Sequence, residues 1–294
     1  VLRFFAKKSF IDRTKQTWLK MLNEMREFSD RIYTVNDFSS FSDNKLLAMY
    51  SEVVEASAEY EGLAFAIDGL DEVGPEKISE ALKKIFSTKD VNSVDFNKAF
   101  NIFTSPSLLS VVAKRDLDVA LIAGSFKDGR IGKTEVDKKL VELLRSTWWQ
   151  DMGWDIYEPS TEEILKNIFD ELAEDSDLRV KIENWSKYAE SIKTEKTKLI
   201  DAFSLQERPE FLQIMSAVDE FTVLHDWRKE FQMRELYSQM KLLKEIAKRR
   251  AIPFVVLEWA TPEEVKKIFS GEKLNLPEIY QRARGFVVLV KDGR

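Results

Sequence analysis

Cysteine is absent from this 294-residue chain, and histidine occurs once. Those two shortages remove whole classes of chemistry. Zinc fingers, Cys/His proteases, thiol redox centres and iron–sulfur clusters need ligands or nucleophiles that the chain does not contain. A disulfide-stapled scaffold is excluded for the same reason. Glycine (10) and proline (7) are also scarce, which disfavours architectures that turn back on themselves every few residues. Long apolar runs are missing too. The longest, Val119 to Ala123 and Phe286 to Val290, fall far short of the roughly 20 residues a membrane span needs, so no membrane partner is expected. The N-terminal Val1-Leu2-Arg3-Phe4-Phe5-Ala6-Lys7-Lys8 has too short an apolar centre for a signal peptide, and a cytoplasmic location is expected. Neither a starting Met nor a terminal domain-ending pattern is present, so both ends are expected to continue into a longer polypeptide.

What the chain has is charge and helix periodicity. Charged residues make up 33% and hydrophobic ones 44%, the balance of amphipathic helices around a core rather than of a disordered tail. The 45 Lys and Arg against 51 Asp and Glu leave a net charge of −6, so no nucleic-acid footprint is expected.

Trp18, Leu22, Met25, Phe28 and Ile32 fall on one face of a helix expected from about 11 to 33. Further helices are expected over about 44–66, from Pro75 through Phe86, and over 95–103, 107–123, 133–152, 178–203 and 209–250. Ser160-Thr161-Glu162-Glu163 reads as a capping box opening a helix through Leu172, and Thr261-Pro262-Glu263-Glu264 as a second. Two β-like runs, 254–259 and 286–290, occur only near the C-terminus. The expected fold is mostly α: a multi-helix, bundle-like domain over 1–250 with a small α/β appendage over 251–294.

Three segments carry candidate chemistry. Gly124 to Thr134 follows an apolar stretch and superficially resembles a phosphate loop. Lys127 stands where that loop needs glycine, and Asp128 would repel phosphate, so a plain inter-helix loop is expected. His225-Asp226 with Arg228 and Lys229 reads in two ways: helix-surface ion pairs, or a cluster facing an anion, with His225 as a polar contact. A histidine metal site there would need further histidines. Trp148, Trp149, Trp154 and Tyr157 put four large aromatics in ten residues, which suits either core packing or stacking on a flat ligand.

Several blocks taken together resemble a known family. They are Thr104-Ser105-Pro106 followed by Ala113 to Asp118, the Trp148 to Tyr157 stretch, and His225-Asp226-Trp227-Arg228-Lys229. Beyond these come Tyr237 with Leu242 to Arg249, Ala260 to Val265, and Arg282 to Gly293. Their order over about residues 100 to 294 is similar to the central helical region of phosphoenolpyruvate-utilising, phosphoenolpyruvate synthase-like phosphotransferases, a group that includes enzymes modifying rifampicin.

The resemblance implies a helical linker or substrate-binding module. It would work with an ATP-grasp domain, where ATP and Mg²⁺ belong, and with a swivelling phosphohistidine domain, in cis or in trans. The residues of this chain contain neither an ATP-grasp sequence nor a Gly-Gly-x-x-x-His segment. The chain alone is therefore expected to be inert and to hold no cofactor. The alternative is a stand-alone helical scaffold for protein interactions.

Overall fold

A computed structural model of the chain describes residues 8–87, 93–153 and 158–285. Among them every regular element is a helix. In chain order these are α1 (Lys8–Tyr33), α2 (Asp43–Phe86), α3 (Ser93–Thr104), α4 (Val111–Lys127), α5 (Lys133–Thr147) and α6 (Glu162–Glu174). After them come α7 (Leu178–Ala202), a 3₁₀ turn (Leu205–Glu207), α8 (Pro209–Arg250), and the short α9 (Phe254–Leu257), α10 (Pro262–Phe269) and α11 (Leu276–Arg282). The mostly α, multi-helix expectation therefore holds.

Three local expectations are corrected. The β-like run 254–259 is the short helix α9 followed by a turn. An apolar run of that length does not distinguish a strand from a buried helical turn, and no strand lies beside it among the described residues. The companion run 286–290 lies outside the described residues. The expected break between the helix over 44–66 and the one from Pro75 does not occur: α2 continues through Pro75. Ile78 and Leu82, just beyond the proline, are fully buried, and that burial offsets the one helix hydrogen bond proline removes. Finally, Thr161 rather than Ser160 caps α6, accepting from the Ile164 amide at 3.3 Å.

The chain forms two compact units that are not contiguous in sequence. One takes residues up to Leu22 together with Glu61–Met233; the other takes Asn23–Tyr60 with the residues from Arg234 onward. Helices α1, α2 and α8 contribute to both.

In the first unit, Ile78, Leu82, Ala99, Phe103, Leu205 and Phe211 form a buried cluster, with Phe103 and Phe211 edge to face at 5.0 Å. Trp18 and Phe231 make a second edge contact at 6.4 Å. Helix α4 packs against α5, α6 and α7 through the buried small residues Ala120 and Ala123 beside Val119. Gly124 continues this small face; a Cβ there would lie 3.1 Å from Ile182 Cδ1 on α7, so the helices approach where a side chain is missing.

The second unit has its own core, including Phe28, Ile32, Phe38, Leu46, Tyr50, Leu242, Ile246, Val265 and Ile279. Its capping box is complete: Thr261 caps Glu264, and Glu264 reaches back to the Thr261 amide at 2.7 Å.

Candidate functional site: a cleft beneath a tethered strap

Between α3 and α4 the chain bends at 105, 107 and 108, and residues 107–110 with Val111, the first residue of α4, form a strap in the first unit. Two aspartates of α8 hold it. Asp219 accepts from the Ser107 amide at 3.2 Å and the Ser107 hydroxyl at 2.9 Å. Asp226 accepts from the Val111 amide at 3.0 Å. Seven residues separate the two aspartates, two turns of helix, so both lie on one side of α8. Lys196 of α7, only 4% exposed, donates to Asp219 at 2.6 Å and to the Ser107 hydroxyl at 3.3 Å. A buried ammonium needs such a pair, because desolvation without one costs several kcal/mol (roughly). Ser110 then caps α4 by accepting from Ala113.

Beneath the strap lies a half-open cleft of about 500 Å³. Leu108, Leu109, Lys114 and Leu117 line one side, Trp185 and Ala189 of α7 another, and Val223, Asp226 and Trp227 of α8 a third. Leu108 is 51% exposed, a large side chain turned to solvent at the rim. Burial raises the Asp226 carboxyl above the usual aspartate range, with the Val111 hydrogen bond and the charges of His225 and Lys229 acting against that rise. Asp118 is raised by burial as well, opposed by the charge of Lys114. The cleft combines apolar walls, two indoles and one desolvated carboxylate, the composition of small-molecule sites.

The sequence-derived candidates divide. Trp148 and Trp149, 0% and 2% exposed, belong to the core, which leaves them no face for a ligand. The Trp148 carbonyl accepts from the Ser160 amide at 2.6 Å, and Trp149 Nε1 donates to the Ser146 carbonyl at 3.0 Å. Beside them a second polar network ties α4 to the turn after α5: buried Arg115 donates to Asp151 at 2.7 Å, and Asp151 also takes the Ser160 hydroxyl. Trp154 and Tyr157 lie outside the described residues. His225, Arg228 and Lys229 are half-buried on α8, but the charged residue α8 contributes to the cleft lining is Asp226. From this segment the cleft thus receives Asp226 and Trp227, and His225, Arg228 and Lys229 are not among its lining residues.

Sequence reasoning missed Trp185, Leu108, Asp219 and Lys196. The seven-residue spacing of Asp219 and Asp226 on an expected helix was the available signal; nothing local marks Lys196 as buried. Among the described residues no group of three or more His, Asp and Glu side chains is placed to hold a metal ion. No described helix is long and apolar enough to cross a membrane. No family model, curated protein or solved structure matches this chain.

Proposed function

We propose that this chain is the helical substrate-binding or linker module of a phosphoenolpyruvate synthase-like phosphotransferase, and that its ligand sits in the cleft beneath the strap. The observation that carries the binding part is the two-ended tether of residues 107–111 by Asp219 and Asp226. A wall fixed before the ligand arrives spares the ordering cost of binding. The family part rests on the resemblance of the sequence blocks. Lys114 and Leu117 from one block and Asp226 and Trp227 from another border the same cleft.

In this reading ATP and Mg²⁺ belong to an ATP-grasp partner domain and the phosphohistidine to a swivelling one. The helical module binds and orients the acceptor and keeps water from it.

Two experiments test the proposal. The parent gene and its neighbours are expected to encode an ATP-grasp sequence and a Gly-Gly-x-x-x-His segment; finding neither contradicts the family reading. For the cleft, 2-phenylethanol added to the chain labelled with ¹⁵N at its indoles is expected to shift the Trp185 and Trp227 resonances and leave those of buried Trp148 and Trp149 in place. Trp185 and Trp227 unmoved by 2-phenylethanol and by its charged analogues alike would contradict a ligand site there.

A protein-interaction scaffold is the second reading. It is favoured by the exposed apolar side chains Val255, Trp259, Leu276 and Tyr280 of the second unit. A parent gene encoding this chain alone would support it.

A further inference from the structure

We propose that the cleft beneath the strap takes a small organic cation, an ammonium group on an aromatic or aliphatic body, with the ammonium on the Asp226 carboxylate and the body against Trp185 and Trp227. The inference rests on the cleft being a ligand site and adds the charge of what it holds.

Four features of the lining argue for a cation. Asp226 is the only carboxylate among the lining residues, and the Val111 amide fixes its orientation at 3.0 Å. It already stands on the wall when a ligand enters. The lining also supplies two indoles, whose faces attract cations more strongly than any other side-chain ring. Lys114 is the one cationic lining residue, and it is exposed at the rim. Its charge acts on Asp118, one turn further along α4, whereas the charges acting on Asp226 are those of His225 and Lys229. Finally, the remaining walls are Leu108, Leu109, Val111, Leu117, Ala189 and Val223 with the neutral hydroxyls of Ser110 and Ser186, so Asp226 is the one negatively charged group there to replace the water an ammonium loses. An anion of the same shape would meet the carboxylate and the electron-rich indole faces, and both repel it.

Burial lifts the Asp226 carboxyl, and a cation placed beside it would favour its charged form. Volume agrees: about 500 Å³ is within the range of small-molecule sites.

The test uses three probes of one shape on the chain, read by the ¹⁵N-indole shifts of Trp185 and Trp227: 2-phenylethylammonium, neutral 2-phenylethanol and anionic 3-phenylpropionate. The ammonium is expected to bind about tenfold tighter than the alcohol, and the carboxylate more weakly than either. Asp226→Asn keeps a side-chain carbonyl for the Val111 amide while removing the charge, and it is expected to bring the ammonium down to the affinity of the alcohol. Trp227→Leu, which leaves the strap's tethers in place, is expected to weaken the ammonium more than the alcohol. The inference is overturned if 3-phenylpropionate binds as well as the ammonium, or if Asp226→Asn keeps the preference. If no probe moves either indole, the cleft is not a ligand site and the cation inference falls with it.

Discussion

The two units solve the same problem with opposite charges. In the first, α8 carries Asp219 and Asp226, and these accept the backbone amides of a loop at Ser107 and Val111. In the second, the later part of α8 carries Lys241 and Arg249, and these donate to backbone carbonyls. Lys241 Nζ reaches the Ile32 and Tyr33 carbonyls at 2.9 and 3.2 Å, at the end of α1. Arg249 reaches the Phe38 carbonyl at 2.5 Å and that of Phe41 at 2.7 Å. Arg234, 3% exposed, adds a donation to Ser29 at 3.0 Å and an ion pair to Asp30 at 2.7 Å.

Helix ends and extended segments leave unpaired amides and carbonyls that must find partners when buried. Acids serve the amides and bases the carbonyls. What differs is the consequence: the acidic solution leaves a carboxylate on a cleft wall, whereas the basic one has Arg249 taken up among Phe38, Phe41, Asp43 and Glu245.

Breaking the acidic tether should cost most where a buried cation is left behind. Asp219→Ala strips Lys196 of its counter-ion and is expected to destabilise the protein by about 4 kcal/mol, measured by urea unfolding. Asp219→Asn should cost less, since it keeps hydrogen-bond acceptors. On the basic side, Arg249→Met removes hydrogen bonds to two carbonyls and two carboxylates, with an expected loss of about 3 kcal/mol by the same measurement.

A third prediction concerns acid. The Arg282 guanidinium beside Glu264 holds its carboxyl at about 2, against an ordinary value of 4.5. A depressed folded value means the stabilisation is complete above pH 4.5 and is lost as pH falls toward about 2. Unfolding free energies followed across that window should fall by about 2 kcal/mol from this pair. Arg282→Met should flatten the dependence, and an unchanged slope would contradict the pairing. The smallest effect belongs to Asp226→Ala, a lost amide acceptor at the start of α4, at about 1 kcal/mol, with Asp226→Asn smaller still.

How far this was legible in the sequence varies by level. Periodicity located α1 and α8 closely because each buries apolar residues over many turns, α7 was readable as a long charged helix although Leu178 and Lys196 are its buried residues, and the box at Thr261 was readable because its partners are three residues apart. The segment at Pro75 was not, because the burial that carries the helix past the proline comes from residues distant in sequence, such as Phe103 and Phe211. The strap was hidden for a similar reason: periodicity extended α4 back to Ser107, although Ser110 caps the helix and Asp219 and Asp226 claim the amides of Ser107 and Val111. The tryptophan cluster at 148 and 149 stood out by composition, yet composition cannot say that the turn after α5 carries both into the core. Trp227 lies beside His225, Arg228 and Lys229 in sequence, and only the packing of α4, α7 and α8 brings it to a cleft with Trp185.

The central claim is that the cleft's wall is fixed in the free protein by two aspartates of α8. Amide hydrogen exchange at Ser107 and Val111, followed without any ligand in the native chain and in Asp219→Asn and Asp226→Ala, tests it most directly. The account predicts slow exchange at both amides in the native chain, with Val111 released by Asp226→Ala while the buried amides of α5 stay protected. Exchange at Ser107 and Val111 as fast as in an unfolded peptide, in the native chain itself, would contradict it.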